Sequence, residues 1–246
     1  MSLNLKYKGV FITATDTSVG KTTVAAGLVG FLKKQGVDVG VMKPVASGAI
    51  ECDSGKLISQ DAEMLVKFSG STDPWEWINP YCLATSVTPS LAARIEGVAI
   101  HFDRIKSAYD EIARRHDFVV VEGAGGAMSP VFENLVVVDM IRALNLPALI
   151  VSRSALGTIN HTRLTLEVAQ GRGLAVAGVV VSHAGEPISS AEQRNLDHLR
   201  ESLGPLWLGE LPRLAEGEPA PEAAIDVGAL IRVAGLDGAY SRAPAA

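Results

Sequence analysis

The stretch Thr13-Ala-Thr-Asp-Thr-Ser-Val-Gly-Lys-Thr-Thr23 joins an apolar run at residues 9–14 to a segment of helical period that begins at Lys21. Gly20-Lys21-Thr22 at a strand-to-helix turn is typical of a nucleotide phosphate loop. Glycine lets backbone N–H groups approach phosphate oxygens, and the helix N-terminus adds partial positive charge. The strict template G-x-x-x-x-G-K-[ST] is not met, because Thr15 stands where its first glycine should be. An ordinary turn with a solvated lysine is the alternative, and the flanking strand and helix patterns count against it.

Around this loop, short apolar runs alternate with longer segments of helical period. The runs show little polar alternation, as expected of strands buried on both faces of a parallel sheet. The predicted strands are 9–14, 38–42, 117–122, 147–152 and 174–182. The predicted helices are 21–35, 60–68, 90–96, 103–116, 134–144, 158–171 and 190–203. This order predicts an α/β fold with a mostly parallel β-sheet flanked by helices, and ligands at the edge where the loops follow the strands.

One domain is expected to span residues 1–246, because neither an internal repeat nor a linker divides the chain. Residues 1–8 are interpreted as an N-terminal flank. The tail from Leu214 is rich in Ala, Glu, Pro and Gly. It is expected to hold a short helix near residues 223–233 and a disordered end at residues 238–246.

Composition narrows the class of protein. The chain is 48% hydrophobic and 20% charged, with a formal net charge of −5, which argues against binding to nucleic acid or to an acidic membrane surface. Cys52 and Cys82 have neither CxxC spacing nor a matching His cluster, so idle thiols are expected rather than a disulfide or zinc site. The start lacks the apolar core of a signal peptide, and no apolar run approaches the ~20 residues of a membrane span. A soluble, cytoplasmic protein is the expectation.

Charged residues follow the next predicted strands. Lys43 leaves the second strand ahead of Pro44, either as a cation aimed into the site or as a surface lysine before a turn. Glu122 ends the run Phe-Val-Val-Val-Glu, where phosphate-loop enzymes place a carboxylate that organises Mg²⁺. The alternative is a charged strand end with a flexible loop, but a carboxylate there is costly to leave unused.

Two helix starts carry further candidates. Asp61 opens a predicted helix, where Asp is common as a cap alone. Leu156-Gly-Thr-Ile-Asn-His161 follows the fourth strand and starts another helix, whose N-terminus could hold an anion such as a carboxylate. Thr158 as a simple helix cap is the competing and compatible account.

Together these segments resemble dethiobiotin synthetase, an ATP-dependent family of biotin synthesis within the P-loop NTPase superfamily. The matches follow the family's order from residue 10 to about 216. They are Thr15-Asp-Thr-Ser-Val-Gly-Lys-Thr22, Lys43-Pro-Val-Ala-Ser-Gly48, Asp61, Asn79-Pro-Tyr81, Val121-Glu-Gly-Ala-Gly-Gly126, Leu156-Gly-Thr-Ile-Asn-His161 and Gly209-Glu-Leu-Pro212. The resemblance implies a three-layer P-loop NTPase-like sandwich and a ligase that forms C–N bonds. It also implies the substrates 7,8-diaminononanoate (7,8-diaminopelargonate), CO2 and ATP, with Mg²⁺.

The resemblance also assigns roles by position. The catalytic residues it implies are Lys43, Lys21, Thr17 and Ser47. The nucleotide-binding residues it implies are Ser18, Val19, Gly20, Lys21, Thr22, Thr23, Glu122, Gly125, Ser182 and Pro212. The Mg²⁺ ligands it implies are Thr22, Asp61 and Glu122. The substrate-binding residues it implies are Ser47, Gly125, Gly157, Thr158, Ile159 and Asn160. The family site lies at a homodimer interface, so the Gly157–Asn160 segment is expected to reach in from the partner chain.

The chain departs from the family at three positions. Ala14 stands where the family usually has Gly, and Ser18 stands where some members carry Glu. Ser182 replaces an Asn that reads adenine in some members, so another nucleoside triphosphate stays open as an alternative to ATP.

The nearest rival is a switch ATPase of the septum- or plasmid-partitioning type. Such proteins carry a second lysine five residues before Lys21, where this chain has Asp16. A cobyrinic-acid-type amidotransferase would need a glutaminase domain, for which this chain has neither the room nor the motif. A scaffold that only retains the fold would be expected to lose Lys43, Asp61 or Glu122, and all of them are present.

Overall fold

The computed structural model describes residues 7–52, 55–132, 134–183, 187–214, 225, 226 and 228. Their strands, numbered in chain order, are β1 Gly9–Ala14, β2 Val39–Met42, β3 Val45–Ser47, β4 Ile50–Glu51, β5 Leu57–Ile58, β6 Tyr81–Leu83, β7 Phe118–Glu122, β8 Pro130–Phe132, β9 Leu135–Val136, β10 Ala148–Arg153, β11 Val176–Ser182 and β12 Trp207–Leu211. Their α-helices are α1 Lys21–Lys34, α2 Gln60–Ser69, α3 Trp75–Ile78, α4 Pro89–Glu96, α5 Phe102–Arg115, α6 Val137–Ala143, α7 Thr158–Gly171 and α8 Ser190–Leu203.

The central sheet has six strands in the order β12-β11-β10-β1-β7-β2, and every neighbouring pair is parallel. Because parallel strands need crossovers, helices cover both faces of the sheet. Val10 and Ile12 of β1 pack in the cluster that contains the apolar side of α1. Phe11, which points the other way, packs with the buried residues of α5 and α6. The predicted α/β layering is confirmed.

The sheet places the carboxyl ends of β2, β7, β1 and β10 next to one another. Their register pairs Ile12 with Glu122 and Ala14 with Val151. The loops that follow these strands therefore meet at one edge, as expected for ligand sites of open parallel sheets. Two short pairings extend that edge, namely β3 with β6 and β4 with β5.

The five predicted strands and six of the seven predicted helices agree with the structure to within two residues at each end. The helix predicted at 134–144 is wrong at its start, because Leu135–Val136 pairs with Pro130–Phe132 and the helix begins only at Val137. The edge strand β12 was not predicted. The same holds for the short α3.

The ends of the chain lie mostly outside the described residues. Of the helix predicted near residues 223–233, only Ile225, Asp226 and Gly228 are described, and Ile225 is buried against the core. The tail predicted at residues 238–246 lies outside the described residues. Within the part of the chain that the structure describes, no helix is long and apolar enough to cross a membrane.

Candidate active site

The phosphate loop runs from the end of β1 to the first turn of α1. Gly20 stands at the N-cap of α1 with φ 93°, a left-handed conformation that glycine adopts without a steric penalty. Ser18 also has a positive φ, 57°. Position 14, where the family usually has glycine, does not need one here. Ala14 is the last residue of β1, and the next residue still pairs with the sheet, because Thr15 N donates to Val151 O at 3.0 Å. Lys21 is buried, and its Nζ lies 3.4 Å from the carbonyl oxygen of Asp16.

Lys43 lies at the centre of a charged cluster. It follows β2, and its Nζ lies 2.5 Å from Asp61 Oδ2 and 2.7 Å from Glu122 Oε1. The Thr22 hydroxyl lies 2.9 Å from both Asp61 Oδ1 and Glu122 Oε1. Its single hydrogen can be donated to only one of these oxygens at a time. Parallel strands β2 and β7 bring Lys43 and Glu122 together although they are far apart in sequence.

The ionisation of this cluster follows from burial and charge. Burial has the largest effect on the pKa of Lys43 and would lower it, but the carboxylates of Glu122 and Asp61 outweigh burial, so its pKa is raised. Burial would raise the pKa of Asp61, yet the Lys43 ammonium holds this pKa below its usual range. Burial raises the pKa of Glu122 above its usual range. Burial and the neighbouring Lys43 both lower the pKa of Lys21. Two lysines and two carboxyl groups thus meet at the floor of the site, and the raised pKa of Lys43 and the lowered pKa of Asp61 both favour the charged form of that pair.

A glycine-rich turn after β7 forms another wall. Gly125 has φ 69°, and a Cβ there would collide with the Ser129 hydroxyl. Gly126 N donates to Ser129 Oγ at 2.9 Å, while Ala127 N donates to the carbonyl of Ala14 at 2.9 Å. Ser129, which sequence reasoning missed, therefore fixes this turn beside the phosphate loop. The signal for it was a hydroxyl residue three positions after the last glycine of the turn.

Most of the predicted site residues line one cavity of about 340 Å³ beside the phosphate loop, which we call the phosphate cavity. The predicted residues that line it are Thr17, Ser18, Val19, Gly20, Lys21, Thr22, Thr23, Lys43, Ser47, Asp61, Glu122 and Gly125. The structure therefore brings together residues of the loop after β1, of α1, β3 and α2, of the position after β2 and of the end of β7. Ala124 lines the same cavity and was not predicted.

Three groups of predicted residues lie elsewhere. Gly157, Thr158, Ile159 and Asn160 line a separate cavity of about 590 Å³ at the start of α7. Ser182 is buried at the end of β11, where its carbonyl accepts from Ser154 N at 3.1 Å. Pro212 is exposed just after β12. Within one chain, none of these residues lines the phosphate cavity.

Both helix-cap alternatives are wrong. The N-cap of α2 is Ser59, whose side chain accepts from Ala62 N, while Asp61 lies within the first turn and contacts Thr22 and Lys43. The N-cap of α7 is Gly157, and the Thr158 hydroxyl instead lies 3.0 Å from Ser152 Oγ. The Asp61 carboxylate is therefore not used to cap α2, and it faces the cavity beside Thr22 and Lys43.

Comparison with known proteins places the chain in a family. A family model described as "AAA domain" matches residues 8–220. The chain is 41% identical over 215 residues to the ATP-dependent dethiobiotin synthetase BioD of Anaeromyxobacter dehalogenans (strain 2CP-C), covering 85% of this chain and 94% of that protein. It is 39% identical over 212 residues to the ATP-dependent dethiobiotin synthetase BioD of Bacillus licheniformis, covering 86% and 88%. The chain belongs to the dethiobiotin synthetase family.

This dethiobiotin synthetase chain also resembles a solved structure outside its family. The MinD cell division protein of Aquifex aeolicus matches with a TM-score of 0.52 and 15% identity, covering 93% of this chain and 96% of that chain. At this identity the likeness shows the fold alone. It confirms the predicted P-loop NTPase-like architecture.

Proposed function

We propose that this chain is an ATP-dependent dethiobiotin synthetase that acts on 7,8-diaminononanoate and CO2. One amine of the diamine adds to CO2 and loses a proton, which gives a carbamate. A carbamate oxygen attacks the γ-phosphorus of ATP, and ADP leaves with the electron pair of the broken P–O bond. The neighbouring amine then attacks the carbonyl carbon of the mixed carbamic–phosphoric anhydride. Phosphate leaves, the amine proton is released, and the C–N bond closes the ureido ring.

The observation that carries this proposal is the pair of buried lysines at one cavity. Lys21 belongs to the phosphate loop, whereas Lys43 enters from β2 and is held between Glu122 and Asp61. Both reactants of the phosphoryl step are anions, so a second cation opposite the phosphate loop suits a carbamate nucleophile. The resulting stabilisation comes from positioning and from charge fixed in place before the reaction.

Other residues of the cavity have proposed roles in binding. Thr17 and the backbone of the segment from Ser18 to Thr23 would contact phosphates, and Ser47 would hydrogen-bond the carbamate or a nearby amine. Gly125 would offer its backbone to the substrate, which its bare Cα allows. Ser182 and Pro212, at the ends of β11 and β12, would border the base.

Mg²⁺ fits the oxygen ligands at the floor of the cavity. Thr22, Asp61 and Glu122 offer hard oxygen atoms, and Glu122 Oε2 is buried without a hydrogen-bond partner. Among the described residues, no group of three or more His, Cys, Asp or Glu side chains could hold a metal ion. The ion would therefore depend on phosphate oxygens as well, which is the usual arrangement for Mg²⁺. When bound, Mg²⁺ neutralises charge on the phosphates.

A homodimer would complete the site. Leu156, just before α7, and Leu164 of α7 are 73% and 56% exposed, and both line the cavity at the start of that helix. Met128 is 48% exposed, and together with Leu164 it borders a further cavity beside Thr17. An apolar strip from α7 to the phosphate site suits burial against a second copy. The segment from Gly157 to Asn160 would then hold the substrate carboxylate for the partner's phosphate cavity.

The cellular setting and the domain organisation are further parts of the proposal. The net charge of −5 supports an enzyme of small molecules that binds neither nucleic acid nor membrane. We place it in the cytoplasm. We also propose that one domain spans the chain, and the sheet that joins strands from both halves of the sequence supports this.

The experiment is a product assay with purified protein, ATP, Mg²⁺, bicarbonate and 7,8-diaminononanoate. Dethiobiotin detected by mass spectrometry, with phosphate released in equal amount, is the expected result. Omission of either the diamine or CO2 should abolish both products. Phosphate release that continues without the diamine, and without dethiobiotin, would point instead to a switch ATPase. Asp16, at the position of the second lysine of those proteins, disfavours that outcome.

A further inference from the structure

Asn79 belongs to the motif Asn79-Pro-Tyr81, to which no role has been given so far. Its side chain is only 4% exposed and lies behind the phosphate cavity rather than in its lining. The amide Nδ2 donates to the carbonyl of Lys43 at 2.7 Å and to the carbonyl of Tyr81 at 3.1 Å. One amide group therefore joins the residue that carries the second cation to a segment 36 residues further along the chain.

The same segment also accepts a hydrogen bond from the backbone N–H of Lys43. Lys43 N donates to the carbonyl of Ile78 at 2.7 Å, and Tyr81 N donates to the carbonyl of Pro44 at 3.3 Å. Lys43 is thus bonded at both its N–H and its C=O to residues 78 and 79. With its backbone fixed, the Lys43 side chain reaches Asp61, Glu122 and the carbonyl of Gly123.

A neutral amide suits this position, because it supplies two N–H bonds without burying a further charge. Both acceptors are carbonyl oxygens, so the group between them must supply two N–H bonds. Rotating the amide by 180° would place Oδ1 against those carbonyls. In the orientation present, Oδ1 is buried and has no hydrogen-bond partner. Such a group weakens the folded state and calls for an explanation beyond stability.

We propose that Asn79 is a positioning residue that sets the place of the Lys43 ammonium. Asn79 touches no reactant. It acts through the peptide of Lys43, because a shift of that peptide moves Nζ relative to the phosphoryl group. The inference rests on the proposed function, in which Lys43 neutralises the carbamate and the γ-phosphate.

The test is Asn79→Ala, with dethiobiotin formation as the readout. kcat should fall by about 10- to 100-fold, because a displacement of about 1 Å in a catalytic group has effects of that order. The affinity for ATP, measured by calorimetry, should change by less than about threefold, since the phosphate loop and Lys21 are untouched. His116→Ala, which removes the ion pairs with Asp38 and Asp73 at the amino ends of β7 and β2, on the edge of the sheet opposite the site, is the control for a general loss of stability. It should leave kcat unchanged.

A double-mutant cycle separates positioning from general support of the fold. Adding Asn79→Ala to Lys43→Ala should cause no further loss of rate, because the residue whose place is set has gone. Long incubations with mass spectrometry make the slow Lys43→Ala rate measurable, and all rates are normalised to the folded fraction from circular dichroism. An equal loss in both backgrounds would overturn the proposal, as would a kcat within twofold of the wild type in Asn79→Ala.

Asn79→Ser is the second variant if Asn79→Ala does not fold, because its hydroxyl can still donate to one carbonyl. Its kcat should lie between those of the wild type and Asn79→Ala, or fall at least fivefold where the alanine variant is unfolded. If neither variant folds, Asn79 is a structural residue and the inference is wrong. A wild-type protein that makes no dethiobiotin contradicts the proposed function itself. If the wild type is active and the Asn79 variants have the same kcat as the wild type, only the positioning role is contradicted.

Discussion

Breaking the ion pair between Lys43 and Glu122 should destabilise the protein far more than removing both partners. The Lys43 side chain is 3% exposed and that of Glu122 is 0% exposed, with 2.7 Å between Nζ and Oε1. At that distance and an effective dielectric constant of about 20, the attraction is about 6 kcal/mol. Removal of water from both ions offsets much of this attraction.

Each single change leaves a buried group without its partner. Lys43→Met leaves the Glu122 carboxylate, and Glu122→Gln leaves the Lys43 ammonium with only the half-exposed Asp61. We expect each variant to lose about 3–5 kcal/mol of unfolding free energy. For a chain of this length, that corresponds to a fall in Tm of about 6–20 °C. The double variant Lys43→Met with Glu122→Gln should come within about 2 kcal/mol of the wild type.

Urea denaturation followed by circular dichroism measures the four free energies at constant pH, without nucleotide or Mg²⁺. The coupling energy of the cycle should then be at least about 3 kcal/mol. If the double variant loses the sum of the single losses, the two groups do not interact as described and the reasoning is refuted. Activity should be lost in all three variants, which separates stability from function.

The remaining predictions concern the phosphate loop, an ionic cluster and the proposed dimer. Lys21→Ala should lower kcat for dethiobiotin formation by about 100- to 1000-fold, and a fall of less than tenfold would exclude Lys21 as a charge-stabilising group. Burial would lower the pKa of His116, but hydrogen bonds to Asp38 and Asp73 outweigh burial and raise it. This group therefore contributes stability that is complete below about pH 6.5 and is lost as the pH rises through the higher folded-state value. Urea midpoints should show that decline, and His116→Gln should remove it while a persisting decline would point to another group. Leu156→Asp should convert a dimer to monomers in analytical ultracentrifugation and raise KM for the diamine, whereas an unchanged sedimentation coefficient would contradict the proposed interface.

The sequence pattern was sufficient for the buried parts of the fold. β1 and β7 are continuous apolar runs with strands on both sides, so their composition reflects their position in the sheet. β12, Trp207–Leu211, was missed because among the described strands it is an edge strand that pairs only with β11, and it contains Gly and Glu. The start of α6 was misplaced because local antiparallel pairing of β8 with β9 takes Leu135–Val136 out of the helix.

In the candidate site, too, some residues were predictable from the sequence pattern and others depend on tertiary packing. Lys21, Lys43 and Glu122 were predictable because each lies at or beyond the carboxyl end of a buried strand, and parallel strands bring those ends to one edge. The contact of Asp61 with Thr22 and Lys43 follows from the packing of α2 on α1, which no local pattern specifies. Asn79 was quoted in a motif but received no role, because its bond to the Lys43 carbonyl joins residues 36 positions apart.

Two glycines with nearly the same backbone geometry lie at the starts of α1 and α7. Gly20 has φ 93° and Gly157 has φ 91°, and the strands before them, β1 and β10, are neighbours in the sheet. Two helix dipoles therefore end side by side at one rim, each with about half a positive charge confined to its first turn. A protein that repels anions at long range, with its net charge of −5, thus attracts them at contact distance. Under the proposed function, anionic reactants would be held by local fields that dissolved salt screens poorly, and their capture would not depend on long-range steering.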